Sequence, residues 1–400
     1  MRNRVGDAVA LNCLLSPIPR LPSPVPRLPP PVSRLLSSVF RLPSSVFRLP
    51  SAFPVHALTI SATGSLDHVE FRTDIAPPAL AGAGLVRLRM QAAPLNHLDL
   101  WTVRGLPGMQ ITPPWIIGSD GWGVVAEVAA DVTHVHVGDR VVVNSGLSCR
   151  NCEYCNRGEQ PLCVKFRVLG EHLPGTLAEE LVIPATNVRA IPPSVSDAEA
   201  SAFGLAVMTA WRMVVSRAQV GPSDDVLIWG IGGGVAQAAL LFAKARGARV
   251  WVTSGSDDKL ARARALGADE TINHSGVDVG REVRARTGKR GVTVVIDSVG
   301  TATWEQSLGA LGRGGRLVTC GGTTGHELTT DVRKLFWNQW TIMGSTMGND
   351  AEFQAVVDEL IAGRLALPVD STLPLERGRE ALERLQSGTQ FGKIVLRIGA

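Results

Sequence analysis

"DVLIWGIGGGVAQAALLFAKARGARVWVTSG", residues 225–255, sets a short apolar run before a glycine-rich turn, then a helix-period segment, then a second apolar run. Strand, turn, helix and strand in that order are the repeating unit of a parallel sheet with crossover helices. Gly230, Gly232, Gly233 and Gly234 follow the first strand and open the helix, so bare main-chain N–H groups and the helix N-terminus can meet a pyrophosphate. Ala236 takes the small position where helix and strand must approach closely. The stretch reads as a dinucleotide-binding turn.

The same alternation continues downstream through "SDDKLARARALG", "VTVVIDSVG", "TWEQSLGALG", "RLVTCGG", "VRKLFWNQW" and "TIMGSTMG". It predicts an α/β doubly wound parallel sheet over residues 191–364. Upstream the period changes. "HALTISATG", "LVRLRMQAA" and "VVAEVAADVTHVHVGDRVVV" are short alternating runs punctuated by Gly, Pro and Asp, and they predict a β-rich, partly open barrel over residues 56–190. The tail "FGKIVLRIG" is again strand-like, so residues 365–400 are expected to return to that first domain. Two domains suit 400 residues with 45% hydrophobic content.

Residues 1–55 are of another kind. Arg20, Arg27, Arg34, Arg41 and Arg48 recur every seven residues, but the interspersed prolines exclude a coiled coil. The segment reads as disordered low-complexity sequence, with a transit peptide, or a translation start near Val55, as alternatives. Its charge also accounts for the basic balance: seven arginines and one aspartate there leave the rest of a +4 chain slightly acidic. Nucleic-acid binding therefore finds no support, and no stretch has the length and apolarity of a membrane span. A cytoplasmic protein acting on a small molecule is expected.

The end of the second strand bears on the choice of dinucleotide. An NAD site places Asp or Glu about 20 residues after the turn, to accept from the ribose hydroxyls. Here stand Thr253, Ser254, Gly255 and Ser256, followed by Lys259 and Arg262. Small hydroxyls leave room for a 2′-phosphate and the cations attract it, which favours NADP(H) over NAD(H). Asp257 and Asp258 read as first-turn acids of a helix capped by Ser256.

"LSCRNCEYCNRGEQPLC", residues 147–163, holds four of the chain's six cysteines. The spacing of Cys149, Cys152, Cys155 and Cys163 lets one loop wrap a tetrahedral zinc ion, whereas disulfides between such near neighbours would close small, strained rings. Four thiolates fill the coordination shell, so the expected zinc is structural.

These motifs, with "GSDGWGVVAEVAADVTHVHVGDRVVV", "GTLAEELVIP", "ALGADETIN" and "QFGKIVL", make residues 56–400 resemble the medium-chain dehydrogenase/reductase superfamily, the group of zinc-type alcohol dehydrogenases and quinone oxidoreductases. The resemblance implies a GroES-like catalytic domain, a Rossmann domain, hydride transfer with a nicotinamide cofactor in the cleft between them, and a homodimer or homotetramer. It also implies a cofactor-contacting set: His97, Thr209, the four glycines of the turn, Val235, Ser254, Ser256, Lys259 and Lys393.

The departures from the family pattern shape the expected chemistry. Where zinc alcohol dehydrogenases hold a catalytic ion with Cys, His and Cys, this chain has Asn96, Ser119 and Leu205, none of them a good zinc ligand. Leu98 and Trp101 stand where a hydroxyl and a histidine would relay the alcohol proton. Without a Lewis acid, an unactivated carbonyl is a poor acceptor, whereas quinones and α,β-unsaturated carbonyls delocalise the arriving charge. Asn96, Ser119 and Asp120 are the expected catalytic residues, Asn96 and Ser119 hydrogen-bonding the developing oxyanion; an internal hydrogen-bonding role is the plainer alternative for Asp120. A zinc alcohol dehydrogenase with atypical ligands and a non-catalytic cofactor-binding protein are the rival readings.

Overall fold

Residues 53–399 are described by a computed structural model. The Arg/Pro-rich extension expected to be disordered lies, up to residue 52, outside the described residues.

Six parallel strands form one sheet in the spatial order Glu270–Asn273, Arg249–Ser254, Asp225–Ile228, Val292–Asp297, Leu311–Thr319 and Thr341–Gly344. In chain order that is third, second, first, fourth, fifth, sixth, the doubly wound arrangement. Both faces of the sheet are covered, which is why consecutive residues of its central strands are apolar and buried on opposite faces. Val226, Ile228, Val250 and Val252 pack into one core cluster, while Leu227, Trp251, Val295 and Leu317 pack into another across the sheet. Each such side chain contributes about 1.5–3 kcal/mol relative to an exposed one.

The second sheet is mixed, in the order Val188–Ala190, Arg140–Val143, Trp122–Val128, Leu85–Pro94, Lys393–Arg397 and Val369–Pro374, with Glu180–Pro184 also pairing with Leu85–Pro94. Alternate residues Val86, Leu88 and Met90 face one core, as a half-buried strand requires. The strand-like tail is the strand Lys393–Arg397. It runs antiparallel to Leu85–Pro94, with Val395 opposite Pro94.

Six helices matter for the site: α1 (His97–Arg104), α2 (Leu205–Trp211), α3 (Gly234–Ala245), α4 (Asp257–Ala265), α5 (Val332–Asn338) and α6 (Asp350–Ile361). Helix α3 starts directly behind the glycine turn. Its alanine-rich face, with Ala236, Ala239 and Ala243 buried, packs on the sheet and presents its first-turn amides at the carboxyl end of the central strand. That end is where strand order reverses, with Arg249–Ser254 on one side and Val292–Asp297 on the other, and such a reversal opens a crevice.

Candidate active site

A cleft of about 600 Å3 lies at this crevice, between the glycine turn and the first turn of α1. Gly230, Gly232, Gly233, Gly234, Val235 and Ser254 line one end. The other end is walled by Leu98, Trp101, Phe166, Val168, Leu205 and Met347. His97, Thr209, Lys259 and Lys393 also reach the cleft, so of the expected cofactor set only Ser256 is not part of its wall. The Ser256 hydroxyl instead accepts the Lys259 N–H at 3.4 Å, capping α4 as the sequence predicts.

The cleft fits a dinucleotide. First-turn N–H groups of α3 have no acceptor within their helix. Gly234 leaves room for the lysine beside it, since a Cβ there would lie 2.9 Å from Lys393 Cδ and 3.2 Å from Ala206 Cβ and would push that side chain aside. Thr209 Oγ1 and Gln390 Oε1 are buried on the cleft wall without a hydrogen-bond partner, as polar groups awaiting a ligand are.

Beneath the cleft lies a cluster of buried polar groups. Asn96 ends the turn between Leu85–Pro94 and α1, and its Nδ2 donates to Asp120 Oδ2 at 2.7 Å. The other Asp120 oxygen accepts the Leu205 N–H at 2.6 Å. That approach requires Gly204, at φ +148°, where a Cβ would fall 2.2 Å from the Asp120 carboxyl carbon. Lys393 Nζ donates to Asn96 Oδ1 at 2.6 Å and lies 3.8 Å from Asp120 Oδ2. Asp99 accepts the Asn96 N–H at 2.7 Å.

Burial raises the Asp120 carboxyl and lowers the Lys393 ammonium, while their mutual attraction opposes both shifts. The N–H donor on each Asp120 oxygen and the Lys393 nitrogen 3.8 Å away favour the carboxylate against that burial. Asp99 is pushed up to about 7 by burial, opposed by the Asn96 N–H it accepts and helped to a smaller extent by the Asp120 charge. His97 is lowered by burial and by the Lys393 and Arg104 charges, so it is a neutral imidazole.

Two expectations change. Ser119 and Asp120 are fully buried and absent from the cleft wall, because both sit in the extended segment behind α1 that leads into Trp122–Val128. Ser119 Oγ has no partner there, and Asp120 reaches the cleft only through Asn96 and Lys393. Neither can touch an oxyanion directly. The cations expected to attract a 2′-phosphate are also partly committed: Arg262 stacks over the Phe391 ring at 4.2 Å, and Lys259 Nζ donates to the Gly388 carbonyl. Asp257 accepts from Asn273 Nδ2 at 2.7 Å, away from any ribose role.

Other wall residues escaped the sequence reading. Glu171 and His172 follow the cysteine loop and reach the cleft, and nothing in "GEH" marks them in sequence. Cys320 also lines it, but burial pushes its thiol up to about 12, so it stays protonated.

The four sulfurs of Cys149, Cys152, Cys155 and Cys163 lie within 4.8 Å of one another. Cys149 and Cys155 are 3.9 Å apart and Cys152 and Cys155 3.5 Å. Tetrahedral bonds of about 2.3 Å to one zinc demand a sulfur separation of about 3.8 Å, so the cluster fits that ion. The Cys149 and Lys165 amides both donate to Cys163 Sγ at 3.3 Å, a contact that suits a thiolate. Among the described residues, no other group of three or more His, Cys, Asp or Glu side chains is gathered closely enough to hold an ion.

Residues 82–193 match the alcohol dehydrogenase GroES-like domain and residues 234–362 the zinc-binding dehydrogenase family. An alcohol dehydrogenase of Moraxella sp. (strain TAE123) is 33% identical over 316 residues, spanning 79% of this chain and 92% of the relative. The chain belongs to the medium-chain dehydrogenase/reductase superfamily. Among solved members, an NAD-dependent alcohol dehydrogenase is 41% identical and superposes with a TM-score of 0.82, covering 86% of this chain and all of that one. A cobalt- and zinc-bound thermostable alcohol dehydrogenase from Pyrobaculum aerophilum is 33% identical with a TM-score of 0.78, over 86% and 99% of the two chains. The fold is therefore a GroES-like domain joined to a Rossmann-like sheet, and the protein is an oxidoreductase of this superfamily acting on small molecules.

Proposed function

We propose that this member of the superfamily transfers hydride from NADPH to a conjugated acceptor, an α,β-unsaturated carbonyl or a quinone, with one structural zinc and no catalytic one. The observation that carries the reading is the Lys393 side chain, 3.8 Å from Asp120 and bonded at 2.6 Å to Asn96, one of the positions where the family pattern has a metal ligand. The carboxyl nearest Asn96 Nδ2, that of Asp120, already has a cation beside it, and both its oxygens accept N–H donors. A second cation would be repelled, and no thiol or imidazole is bonded into the group to ligate it.

A bound nicotinamide supplies the hydride. The chain's own residues do the rest: Leu98, Trp101, Phe166 and Val168 exclude water and favour an apolar acceptor, while Asn96 and Lys393 are the polar groups at the floor. The NADPH preference rests on the adenosine end, where Ser254, Gly255, Lys259 and His274 line the cleft with no carboxylate among them. The 41%-identical structure is described as NAD-dependent, so the preference is tested directly: kcat/KM with NADPH should exceed that with NADH about tenfold.

The decisive assay offers NADPH with an enone, a quinone and a simple aliphatic ketone, with zinc measured on the same sample. Conjugated acceptors should be at least about 100-fold better in kcat/KM, equivalent to about 2.7 kcal/mol, with one zinc per chain. Equal rates on the simple ketone with two zincs would overturn the proposal in favour of a zinc alcohol dehydrogenase that ligates through Asp120 and His97.

Homodimer assembly belongs to the same proposal. Thr341–Gly344 is an open edge of the parallel sheet, and the preceding α5 exposes Val332, Phe336 and Trp337, the last at 69%. A second copy pairing edge to edge would cover both. Light scattering should report a dimer, and Trp337→Glu should give a monomer.

A further inference from the structure

Lys393 joins two parts of the site that the sequence keeps apart. Its stem runs against Gly234 at the start of α3, its amine reaches Asn96, and only 4% of the residue is exposed. The ammonium has three N–H donors but meets one hydrogen-bond acceptor at 2.6 Å and one carboxylate at 3.8 Å, so at least one donor is left for a molecule in the cleft it lines. Asp120 is sealed behind it, and Gly204 holds the backbone that keeps Asp120 in place. The arrangement is a buried cation fixed at the cleft wall, which is the form that stabilisation of a developing oxyanion takes.

We propose that Lys393 is the catalytic electrophile and proton donor, in place of a metal ion, with Asn96 and Asp120 as its positioning residues. The inference rests on the reading of the acceptor as a conjugated carbonyl. As hydride arrives at the β-carbon, a C–H bond forms there and the C=C π pair shifts to join the α-carbon and the carbonyl carbon. The carbonyl π pair moves to oxygen. The Nζ–H bond breaks as an O–H bond forms, giving an enol and a neutral amine. The enol tautomerises to the saturated ketone, and the amine regains its proton from water, so that one NADPH and one proton are consumed per acceptor.

The test uses the full chain with its zinc. Lys393→Met should lower kcat on the enone, at saturating NADPH, at least about 100-fold, a loss well beyond whatever it costs in the NADPH dissociation constant read by cofactor fluorescence. Lys393→Arg, which keeps the charge but gives up its proton poorly, should retain more of that rate than Lys393→Met and flatten the alkaline limb of the wild-type pH profile. In the wild type that limb should fall below the ordinary lysine range, because burial lowers Lys393 against the opposing charges of Asp120 and Asp99, and His97 beside it is neutral. A cofactor-free readout is 4-nitrophenol: bound to wild type, its absorbance should show the phenolate at a lower pH than in solution, and Lys393→Met should abolish the shift.

Loss confined to NADPH affinity, or a Lys393→Met rate within threefold of wild type, would overturn the inference. If that variant fails to fold, absence of the 4-nitrophenol shift in wild type overturns it equally. A wild type inactive on every conjugated acceptor but still shifting 4-nitrophenol would sink the acceptor assignment and leave the electrophile standing.

Discussion

Asp120→Asn should cost the protein about 3–5 kcal/mol, although it alters almost no volume. The carboxylate is 0% exposed and is the counter-charge 3.8 Å from an ammonium that is itself buried. An amide in its place can still accept from Leu205, but its NH2 then faces the NH2 of Asn96. Turning Asn96 over relieves that clash and sets its NH2 against Lys393 instead, so one donor pair is opposed in either arrangement. For a folded body of this size such a loss corresponds to a fall in the thermal midpoint of roughly 4–7 °C. The double variant Asp120→Asn/Lys393→Met leaves no uncompensated ammonium and should recover at least half of the loss. A single variant that melts with the wild type would show that the pair is not charged in the folded state.

Cys163→Ser should empty the zinc lobe and, through it, open the acceptor side of the cleft. Losing one of four thiolates is expected to weaken zinc retention by at least about 100-fold, taking elemental analysis from one zinc per chain toward none. The lobe is tied to α6 and its neighbour by Arg150 to Asp350 at 2.6 Å, by Gln160 accepting the Asp350 N–H at 3.3 Å, and by Glu159 paired with Arg212. The chain emerging from it supplies Phe166, Val168, Glu171 and His172 to the wall. Release of the loop should therefore raise the acceptor KM about tenfold or more while the NADPH KM, set by the glycine turn on the far side, moves little. An unchanged acceptor KM in zinc-free protein would separate the lobe from the site.

The parallel sheet was legible because its determinants are local. A strand, four glycines and a helix within residues 225–245 dictate their own conformation, and the alternation of strand and helix downstream implies parallel strands joined by crossovers. The four-cysteine cluster was equally readable, since its ligands lie in one short loop. Lys393 was legible only in part. Family position places it near the cofactor, yet a lysine opening a strand reads as solvated, and nothing nearby in sequence reveals that its partners are Asn96 and Asp120. Ser119 failed for a related reason: sequence position puts it beside the reacting centre, but the segment before Trp122–Val128 turns it inward. Arg262 could not be read as a stacking partner because Phe391 lies far along the chain.

Asn96 and Lys393 are 297 positions apart, and the whole parallel sheet is strung between them. Contacts of that sequence separation close a very long loop, so they form late, whereas the six strands and their crossovers find each other over much shorter spans. During refolding, the nucleotide-gripping turn should consequently mature ahead of the floor beneath it. Recovery of NADPH binding would then precede recovery of turnover, with the interval set by the docking of the strand that carries the buried lysine.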